Sequence, residues 1–146
     1  MLSDSSRNLP RITGLSHIGM VVSNLGEAVK TYRCVLGLEP TCMKEVKDQK
    51  VRVAIFKVGS SSIELLEPTD ESSTVAGFLS KRGEGLHHIA FNVEDMGAVL
   101  RKAQDAGAII INERRIGAEG QLVAFLHPKS MRGTLVELCA PNQESP

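Results

Sequence analysis

Apolar residues alternate with small or polar ones at residues 15–22 (LSHIGMVV) and again at 86–93 (LHHIAFNV), so both runs read as β-strands with an imidazole on one face. Behind each run the period changes to that of a helix. In SNLGEAVKTYRCVLG (23–37), Ser23 or Asn24 is placed to cap, Leu25, Ala28, Val29, Tyr32 and Leu36 share one side, and Gly37 suits the left-handed stop. EDMGAVLRKAQDAG (94–107) repeats the plan and ends at Gly107. Strands follow each helix. LEPTCMKEV, VRVAIFKVG and SSIELLEP come first, the last two joined as a hairpin through Gly59 and serines, and AIIINE, QLVAFLH and GTLVELC come second. Between the two sets, ESSTVAGFLSKRGEG (71–85) predicts one short helix and a glycine-rich turn.

The chain therefore repeats βαβββ. LSHIGMVVSNLGEAV (15–29) aligns without gaps on LHHIAFNVEDMGAVL (86–100), pairing His17 with His88 and Gly26 with Gly97. SIELLEP (62–68) aligns on LVELCAP (135–141), pairing Glu64 with Glu137. His17 precedes Glu64 by 47 residues and His88 precedes Glu137 by 49. Two copies of about 55 residues are too few for a solenoid, and the expected organisation is one α+β domain of paired modules at 15–68 and 86–141, between tails at 1–14 and 142–146.

Strand alternation puts His17 with Gly19 and Val21, His88 with Ala90, Glu64 with Ser62 and Leu66, and Glu137 with Leu135. Bulky aliphatics on the other side are expected to pack under the helices, leaving smaller residues beside the four polar ones. A buried ionised carboxylate costs several kcal/mol unless it is paired or binds a metal. No lysine or arginine in these four strands stands where it could serve, so His17, Glu64, His88 and Glu137 are the candidate ligands of a divalent cation. Nitrogen and oxygen donors without thiolate suit Mn, Co, Ni, Fe or Zn. Four protein ligands on an octahedral ion leave two positions for substrate, which is the character of a catalytic site.

Composition narrows the classes. Seventeen basic residues balance seventeen acidic ones, so no global field favours nucleic acid or an anionic membrane. Cys34, Cys42 and Cys139 show no ligand or disulfide spacing and read as reduced thiols. No apolar run is long enough to span a bilayer and MLSDSSRNLPR lacks a signal pattern, so a cytoplasmic protein is expected, or a mitochondrial matrix one had a transit peptide been removed.

With these residues in view the sequence resembles the vicinal oxygen chelate superfamily and, within it, the methylmalonyl-CoA epimerase family. HIGMVVSNL, VRVAIFKVG, IELLEP, KRGEGLHHIAF, ERRIGAEG, FLHPKS and GTLVELC carry the likeness from residue 15 to 141. It implies an eight-stranded open barrel around one metal, Co2+ first with Mn2+, Ni2+ or Zn2+ acceptable. The implied ligands are His17, Glu64, His88 and Glu137, the four that the repeat singles out.

The implied reaction is epimerisation of (2R)- and (2S)-methylmalonyl-CoA in propionate metabolism, by removal and return of the C2 proton through a metal-stabilised enolate. Glu137 and Glu64 are the expected acid–base pair, Glu137 the stronger. Some relatives carry a second carboxylate where this chain has Val53, so that role does not transfer; Glu45 and Gln49 nearby are candidate substitutes, with solvated loop residues the favoured reading. The resemblance also implies a homodimer, with no nucleic-acid or membrane partner. The two candidate glutamates keep a glyoxalase I-type lactoylglutathione lyase as the alternative activity.

Three further readings complete the set. His87 is expected to be a donor beside His88 or facing a helix, and His127 a loop residue or a contact beside the metal. Lys129, Arg132, Arg114 and Arg115 could form the cationic cluster a CoA phosphate needs. The Gly117 to Gly120 turn lacks the strand-to-helix setting of a phosphate loop.

Overall fold

The computed structural model describes residues 11–116 and 120–141, with only the backbone for 112–116. Arg114, Arg115 and the Gly117 end of the GAEG turn thus lie outside the described side chains. Two compact units emerge: Ser16–Ile89, and a second formed by the described residues up to Leu15 and from Ala90 onwards. The eight strands belong to one open, mixed sheet in an α+β chain with three helices among the described residues.

In the first unit the order of elements is β1 (Ile12–Val21, which begins in the second unit), α1 (Leu25–Leu36), β2 (Cys42–Val46), β3 (Val51–Val58), β4 (Ser61–Pro68), α2 (Thr74–Arg82) and the start of β5 (Gly85–Val93). Hydrogen-bonded neighbours run β2-β3-β4-β1-β5. β2 and β3 are antiparallel, as are β3 and β4, whereas β1 and β4 are parallel. The parallel pairing is possible because α1 and two further strands provide the long crossover that a tight turn cannot.

Local chemistry sets the ends of α1. The Asn24 side chain accepts the N–H of Glu27, and Glu67 on β4 accepts the N–H of Leu25 through Oε2. A cap of this kind contributes about 1 kcal/mol. At the other end Gly37 adopts φ 69°, where a Cβ would be strained, and returns its N–H to the Arg33 carbonyl.

Each face of the first unit's sheet has its own core. Leu65, Phe56 and Ala54 pack with Leu25 and Val29 of α1, and fully burying a leucine, valine or phenylalanine side chain contributes roughly 1.5–3 kcal/mol. On the opposite face Val21, Val51, Val53, Ile55 and Leu66 cluster with Val75 of α2, and Phe78 and Leu79 pack against them. Alternation places His17, Gly19, Ser62 and Glu64 on this second face. Gly19 and Ser62 match the expectation of small neighbours and Val21 and Leu66 lie on this face as alternation placed them, but Val53 and Ile55 of β3 add bulk that was not expected. α2 explains the difference, because it supplies apolar partners at that end of the face.

The second unit holds the rest of β5, α3 (Met96–Asp105), β6 (Ile110–Ile116), β7 (Leu122–Leu126) and β8 (Val136–Ala140), with neighbours β5-β8-β7-β6. It therefore repeats the strand order of the first. Asp95 caps α3 by accepting the Ala98 N–H, as Asn24 caps α1. Ala90, Val123 and Cys139 form its buried cluster, with Phe125 against it. No described helix is long and apolar enough to cross a membrane.

Candidate metal centre

Among the described residues the buried polar side chains are His17, Ser62, Glu64, Ser73, His88 and Glu137, and the four of them that ionise are the four paired by the repeat. In the first unit three come together. β1 and β4 run in register with His17 opposite Ser62 and Gly19 opposite Glu64, so Glu64 stands diagonally across from His17 on one face. Its Oε2 lies 3.0 Å from Nδ1 of His17. An ionised carboxylate can only accept, so His17 donates through Nδ1 and its Nε2 keeps the lone pair that a cation requires.

That Nε2 lies 3.1 Å from Nε2 of His88, and the rings meet at 89°. Two imidazole–metal bonds of about 2.0–2.1 Å at right or tetrahedral angles would separate their nitrogens by about 2.9–3.4 Å, so the observed spacing fits two ligands of one ion. The carboxylate at His17 Nδ1 adds negative charge beside the pair. His17 and His88 therefore fit two ligands of a divalent metal on donor type, burial and spacing, whereas Glu64 meets His17 at Nδ1, the nitrogen turned away from that pair.

Room for His88 comes from a missing side chain. A Cβ at Gly19 would stand 2.1 Å from Cε1 of His88, so the ring occupies the space that any larger residue on β1 would claim. Gly19's place on the His17 face is legible in the sequence; the space it leaves for His88 is not. Ser16 was also missed: its Oγ lies 3.0 Å from Nδ1 of His17.

Glu137 sits on β8 of the second unit, 7% exposed and opposite Phe125 of β7. The Cys139 thiol lies 3.4 Å from its Oε2. Val53 is buried on β3 opposite Leu66, an apolar side chain on the Glu64 face. Glu45 is exposed and paired across the ladder with Arg52. Gln49 lies in the turn before β3, where its carbonyl accepts the Ser73 hydroxyl.

His87 is half-buried, with its Nδ1 2.9 Å from Nδ1 of His88. His127, in contrast, is exposed and accepts the Lys129 N–H through Nδ1, which makes it the cap of the turn Pro128–Ser130. Lys129 and Arg132 are exposed near that turn, Arg132 at φ 59°.

A repeated strand order with polar residues buried at matched positions defines a class, and residues 16–125 match the Glyoxalase/Bleomycin resistance protein/Dioxygenase superfamily. The chain belongs to that superfamily and, within it, to the methylmalonyl-CoA epimerase family. It is 41% identical to the ethylmalonyl-CoA/methylmalonyl-CoA epimerase of Cereibacter sphaeroides, over 85% of this chain and 95% of that one. The crystal structure of methylmalonyl-CoA epimerase from Mycobacterium tuberculosis is similar at 33% identity and TM-score 0.85, covering 99% of this chain and 95% of that one. A methylmalonyl-CoA epimerase in complex with methylmalonyl-CoA and NH4+ is 38% identical with TM-score 0.85, covering 93% of this chain and all of that one (100%).

Proposed function

We propose that this chain interconverts the (2R) and (2S) epimers of methylmalonyl-CoA with a divalent cation held by His17, Glu64, His88 and Glu137. The observation that carries the metal part is the 3.1 Å approach of two buried imidazole nitrogens beside a buried carboxylate. The substrate comes from relatives at 33–41% identity named for this epimerisation, one of them solved with methylmalonyl-CoA.

The cation, when bound, supplies Lewis-acid stabilisation of negative charge on the thioester oxygen once the C2 proton has left. His17 and His88 hold it through Nε2, and Glu64 fixes the orientation of His17. Inversion needs a proton carrier on each side. Ionised Glu137 takes the C2 proton from one side, and Glu64, its repeat equivalent, entering the turnover protonated on Oε1 with Oε2 still accepting from His17, gives its proton to the other face. Glu137 is left protonated and Glu64 ionised, and exchange with water resets the pair. Buried Val53 cannot take that part. Cobalt is the expected ion, with manganese, nickel and zinc as competent substitutes.

Proton NMR of (2R)-methylmalonyl-CoA in D2O, with cobalt-loaded and then chelator-treated protein, tests the reading. Metal-dependent loss of the C2 proton signal with appearance of the 2S epimer is expected. A folded, metal-loaded protein that leaves the signal intact overturns it, and methylglyoxal with glutathione is then the substrate to offer.

A further inference from the structure

We infer that His87 is a positioning residue for His88, accepting the hydrogen of its Nδ1 so that Nε2 is the nitrogen presented beside His17. The inference rests on the metal reading above and adds a residue to it. An imidazole ligates through one nitrogen, and the hydrogen bond made by the other selects which tautomer is present. His87 Nδ1 lies 2.9 Å from His88 Nδ1, while His88 Nε2 lies 3.1 Å from His17 Nε2. The two nitrogens of His88 are thus directed to two different partners.

The same device occurs in the other half of the repeat. Ser16 holds the position equivalent to His87, and its Oγ lies 3.0 Å from Nδ1 of His17. In both modules the residue just before the candidate ligand touches that histidine's Nδ1. His17 also has the Glu64 carboxylate at Nδ1, 3.0 Å away. For His88, His87 performs the corresponding task with a neutral acceptor.

A positioning residue must itself be held. The His87 ring packs edge-on against Phe78 of α2 with centroids 5.0 Å apart, and the Arg82 guanidinium lies 5.7 Å from the Phe78 centroid. α2 thereby fixes the orientation of His87, and through it that of His88.

Zinc is the probe, used with the full chain. In 15N-labelled, zinc-loaded wild-type protein, a 15N–15N coupling across the hydrogen bond between His88 Nδ1 and His87 Nδ1 is expected, with slow exchange of the His88 Nδ1 hydrogen. His87→Phe keeps the aromatic contact with Phe78 and removes the acceptor; zinc affinity should fall about 10–100-fold, the usual cost of losing such an outer partner. The metal-free variant should keep the wild-type far-UV circular dichroism and a cooperative melt, and His87→Asn should recover most of the affinity. Wild type that binds zinc without the coupling overturns the role of His87, even if His87→Phe fails to fold. Unchanged affinity in a folded His87→Phe does the same while leaving the metal reading intact. Failure of wild type to bind zinc, cobalt or manganese sinks the metal reading, and this inference with it.

Discussion

The Nε2 atoms of His17 and His88 face each other at 3.1 Å with their rings nearly perpendicular, at 89°. Strands β1 and β5 bring them together within one unit. Placing two buried imidazoles edge to edge has little packing value, because each must find polar partners in an apolar setting. The arrangement is economical once a cation joins the two nitrogens.

Removing one of them should therefore abolish metal uptake while sparing the fold. His88→Ala is expected to weaken cobalt or zinc binding by more than about 100-fold, beyond the loss of an outer-shell partner. Metal analysis of the purified variant and its far-UV circular dichroism check both halves of the statement. Turnover at the wild-type rate would remove His88 from the ligand set.

Glu137→Gln preserves shape but cannot accept a proton. The rate of C2 proton exchange in D2O should fall about 10²–10⁴-fold, the range for loss of a general base. Retained metal, measured alongside, separates loss of the base from loss of the ion. An unchanged exchange rate would reassign the proton transfer.

Metal binding should also appear in stability. At a free ion concentration 100 times Kd, mass action stabilises the folded chain by about 2.7 kcal/mol. Calorimetry should show a higher thermal midpoint with zinc, reversed by chelator, and no response in His88→Ala. A wild-type midpoint indifferent to cobalt, manganese and zinc would contradict a metal site.

Gly19 offers a test by bulk instead of by charge. Gly19→Val should force the His88 ring aside and lower metal affinity by at least about tenfold, at a cost of roughly 1–3 kcal/mol from overpacking. Gly19→Ala should act in the same direction, since its Cβ alone would stand 2.1 Å from Cε1 of His88, but less strongly because it adds no γ-methyl groups. Titration calorimetry of the two variants against zinc gives the order. Equal affinity in wild type and Gly19→Val would mean that His88 binds from another rotamer.

Asn24→Ala serves as the contrast. Loss of the α1 cap should cost about 1 kcal/mol and lower the midpoint by about 2–4 °C. Metal affinity should not move. A parallel fall in affinity would tie α1 to the site.

Much of this was legible in the sequence because the repeat separated informative residues from ordinary ones. A single buried histidine says little, but His17 and His88 at one alignment position, with Glu64 and Glu137 at another, isolate four residues that the structure finds buried. Helix α1 was readable from Asn24 and Gly37, whose caps are local chemistry. The contacts of α2 were not, because they depend on how a nine-residue helix folds back over β3 and β4. For the same reason the face of Glu64, on which alternation had already put Val21 and Leu66, also bears Val53 and Ile55 from β3 and is less open than expected. The diagonal step from His17 to Glu64 depends on the register of two strands far apart in sequence, which no local pattern encodes.

The sheet of the first unit has a packed core on both faces, with Glu64 on one and its neighbours Ile63 and Leu65 on the other. A one-residue insertion or deletion inside β4 would exchange the two sets, sending a carboxylate under α1 and an aliphatic toward His17. Homologous chains should accordingly vary in length at the connections 37–41 and 69–73, while β1 and β4 keep their residue count. Evolution is free to lengthen the joints of this molecule but not its rungs.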